Sequence, residues 1–313
     1  MTEAERGRGW VGVAGLALAT TAFWVVQPAV LMFVPLALLF IGLPPRRPLL
    51  LALGVFIAWL AFRAPAAPAG TLWYFERGWT LLLGAWFLVI VVARPEWRFM
   101  PRALVALAAT VVTAGVLLVL SRGGFAALDT AIGDQMRLAA EQAIVALREA
   151  AAGGEVRQDI RRAIMLAAEF QAKLFPALLA LSSLAALGVA WWAFGRIGRG
   201  ESRPLGRLRE FRFRDELVWL LLIGMALLVL PVNQLATRAG ENLLAFMGVL
   251  YALRGVAVLL VLGGVPGPFG MLLGAVVVLF LAPFVMATTF VVGLSDTWLD
   301  IRARREASAT RGS

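Results

Sequence analysis

Neither cysteine nor histidine occurs among the 313 residues of this chain. Without cysteine there is no disulfide framework, no iron–sulfur cluster and no thiolate zinc site, and nothing about redox compartment can be read from cysteine usage. Without histidine there is no histidine-based catalytic triad, no HExxH zinc site and no axial-histidine haem. Charge is scarce too. Only 15% of residues are charged, and Lys173 is the single lysine among 29 basic residues that outnumber 19 acids. A GxxxxGK[ST] phosphate loop, an acidic EF-hand loop and a GxSxG nucleophile elbow are also missing. The glycines of "SRGGFAALD" (residues 121–129) do not lie between a strand and a helix, so they do not read as a phosphate loop.

Apolar sequence fills the space that charge leaves. With 61% apolar residues and a mean hydropathy of +0.85, the chain lies far from the soluble average of roughly 45–50% apolar and about 25% charged. The class is all-α: a polytopic α-helical integral membrane protein. A net charge of +10 in so apolar a chain reads as arginines facing the cytoplasm and anionic headgroups, not as a nucleic-acid surface. The lipid bilayer is thus the first partner. No cofactor and no metal is implied.

Apolar runs occur at Trp10–Val26, Ala29–Leu43, Pro48–Phe62, Trp79–Ala93, Ala103–Leu120, Ile164–Phe194, Glu216–Thr237, Leu243–Leu262 and Met271–Leu294. The first is followed by no small-residue cleavage site and reads as a retained helix, not a signal peptide. The second and third are short and flank the "PPRRP" turn, as a steep hairpin or a pair of tilted helices would. Trp79, Trp86 and Trp97 suit an aromatic belt. Between residues 121 and 163, Leu128, Ile132, Met136, Ile144 and Leu147 recur on one helical face among charged residues, the pattern of an extramembrane amphipathic helix.

The expected organisation is a membrane bundle of about five helices over 1–120 and amphipathic helices over 121–163. A membrane helix over 164–194 follows, continuous with the preceding amphipathic helix. A basic cytoplasmic loop over 195–215, membrane helices over 216–295 and a polar tail over 296–313 complete it. Assigning connections to alternate sides puts 14 basic residues on the amino-terminal side against 7 on the other once the long 121–163 segment is set aside. The amino terminus is therefore expected in the cytoplasm of a bacterial inner membrane. Nine runs would leave the arginine-bearing tail outside; eight spans, with a last run made re-entrant at Pro283, would bring it in.

Polar groups at membrane depth are costly and mark candidate sites. Glu169 and Lys173, four residues apart in the favoured order, fit an interfacial pair. Arg254 lies near the middle of its run and needs a partner. Asn233 and Gln234 after Pro231, and Glu241 and Asn242 at the following turn, are the candidates to line the same polar interior. Arg254, Asn233, Gln234 and Asn242 together read either as a site for an anionic group or, for Arg254, as a helix-to-helix brace.

The stretch "GLSDTWLDIRAR" (residues 293–304) ends the last run. On a helix Asp296 and Asp300 share a face, Asp300 meets Arg304, and Asp296, Trp298, Asp300 and Arg302 read as an interfacial stop with Ser295 or Asp296 capping a new helix. Two aspartates without further ligands make a poor metal site. This stretch resembles the closing signature of the YybS-like family of bacterial polytopic membrane proteins. The segments "FRFRDELVW" (residues 211–219) and "GENLLAFMGVLYALRGVAVL" (residues 240–259) agree with it in order. The resemblance covers the last third of the chain, and Arg254 departs from it where a neutral polar residue such as Gln is expected. It implies kinship with the membrane fold of substrate-capture subunits of energy-coupling vitamin transporters and of MreD-type proteins. It supplies no activity, substrate or catalytic residue.

Two functions follow as expectations. One is a membrane transport component, or small-solute-binding subunit, without its own ATPase. The other is a non-catalytic scaffold or assembly factor working with a protein partner. A membrane enzyme comes third, weakened by the missing histidine and cysteine, although Asp, Glu, Lys and Arg can do acid–base work.

Overall fold

A computed structural model describes residues 28–43, 48–63, 70–121, 124–150, 158–201, 205, 208–230, 233–264 and 267–300. The retained first helix expected at Trp10–Val26, the tail with Arg302 and Arg304, and the "PPRR" of the first turn (residues 44–47) lie outside these residues. All regular structure among the described residues is helical. The chain divides into two compact units, Met1–Leu205 and Gly206–Ser313.

Unit 1 begins with α1 (Pro28–Gly42) and α2 (Leu49–Phe62). They pack closely as the hairpin reading expects: a Cβ on Gly54 would lie 2.9 Å from Phe40 Cβ and 3.0 Å from the Ala37 carbonyl oxygen. α3 (Thr71–Ala93) starts eight residues before the apolar run that suggested it. It can extend because its early charges are met. Arg77 pairs with Glu76 at 3.1 Å and lies 4.8 Å over the Trp73 ring. The helix ends at Arg94 (φ −135°), because the following Pro95 disfavours helical geometry in the residue before it.

α4 (Phe99–Leu120) returns, and α5 (Gly124–Ala150) and α6 (Gln158–Lys173) form a second hairpin. On α5 the apolar stripe is buried at Leu128, Ile132, Met136 and Ala140 but open at Leu147. The expected continuous run into the sixth span is broken instead. Leu174 takes φ −90° and ψ 8°, and a separate helix, α7 (Phe175–Ala193), begins with Pro176 in its first turn. Proline has no N–H to continue the ladder and its ring crowds the carbonyl four residues back, so a join there bends.

Aromatic contacts hold α3, α4 and α7 together. Phe87 is fully buried and meets Phe99 at 6.0 Å and Trp191 at 5.8 Å between ring centroids. Trp79, expected at the interface, is instead buried, and its Nε1 donates to Ser183 Oγ at 2.9 Å. The hydroxyl of Ser183 answers the indole N–H that a fully apolar core would leave unpaired.

In unit 2 the helix break also falls elsewhere than hydropathy suggests. α8 is only Val218–Val229, and α9 runs 30 residues from Gln234 to Gly263. Glu241 and Asn242 lie inside α9, not in a turn. The break falls between Leu230 and Asn233: Leu230, which precedes a proline in the sequence, is extended (φ −79°, ψ 120°), and the Asn233 side chain caps α9 by accepting from the Ala236 N–H at 2.7 Å. α10 (Pro268–Leu299) follows, with non-helical backbone at Leu281, two residues before Pro283.

Among the described residues four helical stretches are long and apolar enough to cross a membrane: Thr71–Ala93, Phe99–Leu120, Phe175–Arg199 and Gln234–Gly263. Shorter apolar helices are Ala29–Gly42, Leu49–Phe62 and Phe284–Leu299. Truncating the central ring of unit 1, Phe87→Ala, lowers stability by about 3 kcal/mol and reduces the unfolding midpoint in detergent. Phe87→Leu costs clearly less, and equal midpoints for the two variants would remove Phe87 from the packing account.

Candidate functional site

The two long helices of unit 2 cross at glycine. A Cβ on Gly255 would overlap the Thr289 carbonyl, and one on Gly293 would overlap the Tyr251 carbonyl and approach Gly255 N to 2.7 Å. Backbones can come this close only where both surfaces lack a side chain. Gly224 and Gly240 do the same for α8 and α9, with 2.8 Å from a Cβ on Gly240 to the Gly224 carbonyl oxygen. The polar residues flanking the α9–α10 crossing are consequently brought together.

Arg254, beside Gly255, is fully buried at 0% exposure. Its Nε donates to Asp296 Oδ2 at 3.0 Å and its Nη1 to Asp215 Oδ1 at 2.6 Å. Asp296 is likewise 0% exposed, while the Asp215 side chain is 41% exposed. The buried Phe213 ring lies 5.5 Å from the guanidinium carbon and stacks edge-on against Tyr251 at 5.2 Å. Arg212 extends the chain of charges, 3.3 Å from Asp215 Oδ2 and 3.6 Å from Asp300 Oδ1. Two arginines thus alternate with three aspartates, and the five sit on three different segments of unit 2: Arg212 and Asp215 before α8, Arg254 on α9, and Asp296 and Asp300 at the end of α10.

The closing stretch therefore does different work from an interfacial stop. Asp296 belongs to α10 and is buried against Arg254, so it does not cap a new helix. Asp300 ends α10 in left-handed geometry (φ 42°), which aspartate tolerates better than most residues, and reaches Arg212. Trp298 is 66% exposed, as a ring at a membrane face would be. The other candidates do not join Arg254. Asn233 is spent as the α9 cap, Gln234 opens the same helix, and Asn242 Nδ2 donates to the Arg238 carbonyl at 2.8 Å. Asn242 lies three turns from Arg254 along α9.

Arg254 Nη2 is buried and makes no hydrogen bond to the described residues, while the buried hydroxyls of Tyr251 and Thr297 face each other as hydrogen-bond partners. No group of three or more acids among those residues is placed to hold a metal ion. Outside the helices, Arg214 donates to both Glu216 carboxylate oxygens at 3.1 and 3.2 Å. Those hydrogen bonds hold the Glu216 carboxyl below its ordinary value. Whatever they contribute is present above the unfolded-state value and is lost as pH falls through the folded one.

Asp215 and Asp296 as partners of Arg254 were missed by sequence reading. The signal that could have found Asp296 is a small residue near each member of its pair: Gly255 follows Arg254, and Gly293 precedes Asp296 by one helical turn; no such signal marks Asp215.

The chain matches, over residues 98–297, the model of a family described as predicted membrane protein (DUF2232), and it belongs to that family. No curated protein and no solved structure matches it. The match ends one residue past Asp296, so it contains both Arg254 and its two carboxylate partners.

Removing one side of a buried ion pair leaves the other uncompensated. Asp296→Ala is expected to destabilise unit 2 by about 3–5 kcal/mol, whereas Asp215→Ala, at a half-exposed position, costs about 1 kcal/mol. Arg254→Lys does not rescue the arrangement, because one ammonium cannot serve two carboxylates along separate edges of a guanidinium. Unfolding midpoints of the three variants test this, and a milder effect for Asp296→Ala than for Asp215→Ala would overturn the assignment.

Proposed function

We propose that this member of the DUF2232 family is a non-catalytic, multi-pass subunit of a bacterial inner membrane that works by engaging a protein partner. The observation that carries this reading is the pairing of Arg254 with Asp215. It ties the connecting segment at residues 208–217 to α9, and through the shared guanidinium to Asp296 of α10. A brace of this kind holds an otherwise irregular segment in one shape, which is what a docking element requires. The YybS-like ending and its implied kinship with transporter substrate-capture subunits and MreD-type proteins support a partner-dependent role as well.

Transport of a small solute, without an ATPase of its own, is the second reading. It is favoured by Arg254 Nη2, a buried donor that makes no hydrogen bond to the described residues. Part of both readings is a topology of eight or nine spans with a cytoplasmic amino terminus. The break at Leu281 supports a re-entrant segment that brings the arginine-rich tail to the cytoplasmic side.

Native mass spectrometry of gently extracted protein separates the two. A stoichiometric protein partner, lost on the exposed double substitution Arg214→Ala/Glu216→Ala, is the expected outcome. A stoichiometric small ligand lost on Arg254→Ala, with no partner present, overturns it in favour of transport. The topology is testable because the chain has no cysteine. A single Arg98→Cys stays unlabelled by an impermeant maleimide in intact spheroplasts and is labelled once the membrane is opened. Labelling in intact spheroplasts would reverse the orientation.

A further inference from the structure

A second concentration of arginine lies in unit 1, independent of the Arg254 cluster, where α3 turns into α4 and α7 ends. The residues come from "ARPEWRFMPR" (93–102) and "FGRIGR" (194–199), segments a hundred residues apart that share one end of the unit. Arg102 joins them. Its Nε donates to the Arg94 carbonyl at 3.2 Å, its Nη2 donates to the Pro95 carbonyl, and its guanidinium lies 5.4 Å from the Trp191 ring. The residue is buried. With Arg102 held this way, the 94–98 turn is fixed against the end of α7.

Around that buried hub the remaining cations point outward. Arg94, Arg98 and Arg196 are exposed and Arg199 is partly exposed. Arg94 lies 5.7 Å from the exposed Trp97 ring, and Arg199 lies 5.3 Å from the Phe194 ring. The acids of the same two segments are Glu96 and Glu201, of which Glu201 meets Arg199 at only 3.9 Å. Arg199 acts on Arg102 electrostatically, with Glu96 and Glu201 acting in the opposite sense, and the four outward arginines outnumber these two acids. A surface with such an excess of one sign attracts external counter-ions.

Three candidate spans, Thr71–Ala93, Phe99–Leu120 and Phe175–Arg199, begin or end at this surface. The anion met at that level of a bilayer is a phospholipid headgroup. Trp97 adds the amphipathic ring found at headgroup depth. Guanidinium groups match phosphate oxygens in paired hydrogen bonds. We propose that the surface formed by Arg94, Arg98, Arg196 and Arg199 around buried Arg102 is a binding site for the phosphate of an anionic phospholipid, of which phosphatidylglycerol is the chemical type.

The test uses the full chain in nanodiscs of equal phosphatidylglycerol and phosphatidylethanolamine, released into a native mass spectrometer. The expected result is retained phosphatidylglycerol in excess. The variant Arg98→Gln/Arg196→Gln/Arg199→Gln leaves Arg102 in place and is expected to lose that excess by about fivefold per arginine, ~1 kcal/mol each. A control with the same charge loss on exposed helix surface, Arg137→Gln/Arg161→Gln/Arg162→Gln, keeps it. Equal retention of the two lipids by the unaltered chain, or an equal loss in the control, overturns the proposal. Should the triple variant unfold, Arg196→Gln alone gives the same reading.

Discussion

A guanidinium with no exposure to solvent, seated in a 30-residue apolar helix, is the constraint around which unit 2 is arranged. Left alone it would cost several kcal/mol, on the order of the penalty for a charge at membrane depth. Asp296 answers it from α10, Asp215 from the turn before α8, and Phe213 covers its face. Asp296 reaches it because α9 and α10 pass within backbone contact. The glycines at 255 and 293 are thus as necessary to the Arg254–Asp296 pair as the charges themselves.

Unit 1 handles its cations by related means. Arg77 lies against Trp73 and Glu76, and Arg102 donates to two carbonyls while lying near the Trp191 ring. Each site uses the flat guanidinium for in-plane hydrogen bonds and leaves a face for an aromatic ring, which an ammonium cannot do. Buried aromatic contacts through Phe87 and Trp191 supply the packing between these points. In unit 2 the ion pairs stand where unit 1 has stacked rings.

Much of the architecture was legible in the chain because membrane helices leave a strong local trace. Fifteen or more apolar residues with an arginine or proline at the end identify α1, α2 and α4 to within a few residues. Errors arose where a local cue competed with hydropathy. The extended residue before Pro231 moved the start of α9 into what looked like the preceding span, and the bend at Leu174, just before Pro176, divided the run read as one helix. α3 gained two turns because Glu76 and Arg77 satisfy each other, a contact that hydropathy scores as two charges. Trp79 looked like an interfacial ring until its N–H found Ser183, more than a hundred residues later.

Sequence by itself determined the class, the absence of thiol and imidazole chemistry, the positions of most helices and the identity of Arg254 as the residue in need of explanation. These are properties of composition and of short windows, and the hydrophobic cost of exposing or burying each window decides them locally. Tertiary structure alone decided which acids Arg254 meets, that Asp296 is buried, and that residues 94–102 and 194–199 share one end of unit 1. Arg254 and Asp296 are 42 residues apart, and a pairing over that distance depends on how two helices cross. That crossing is set by which faces lack side chains, a relation between elements that neither element states alone.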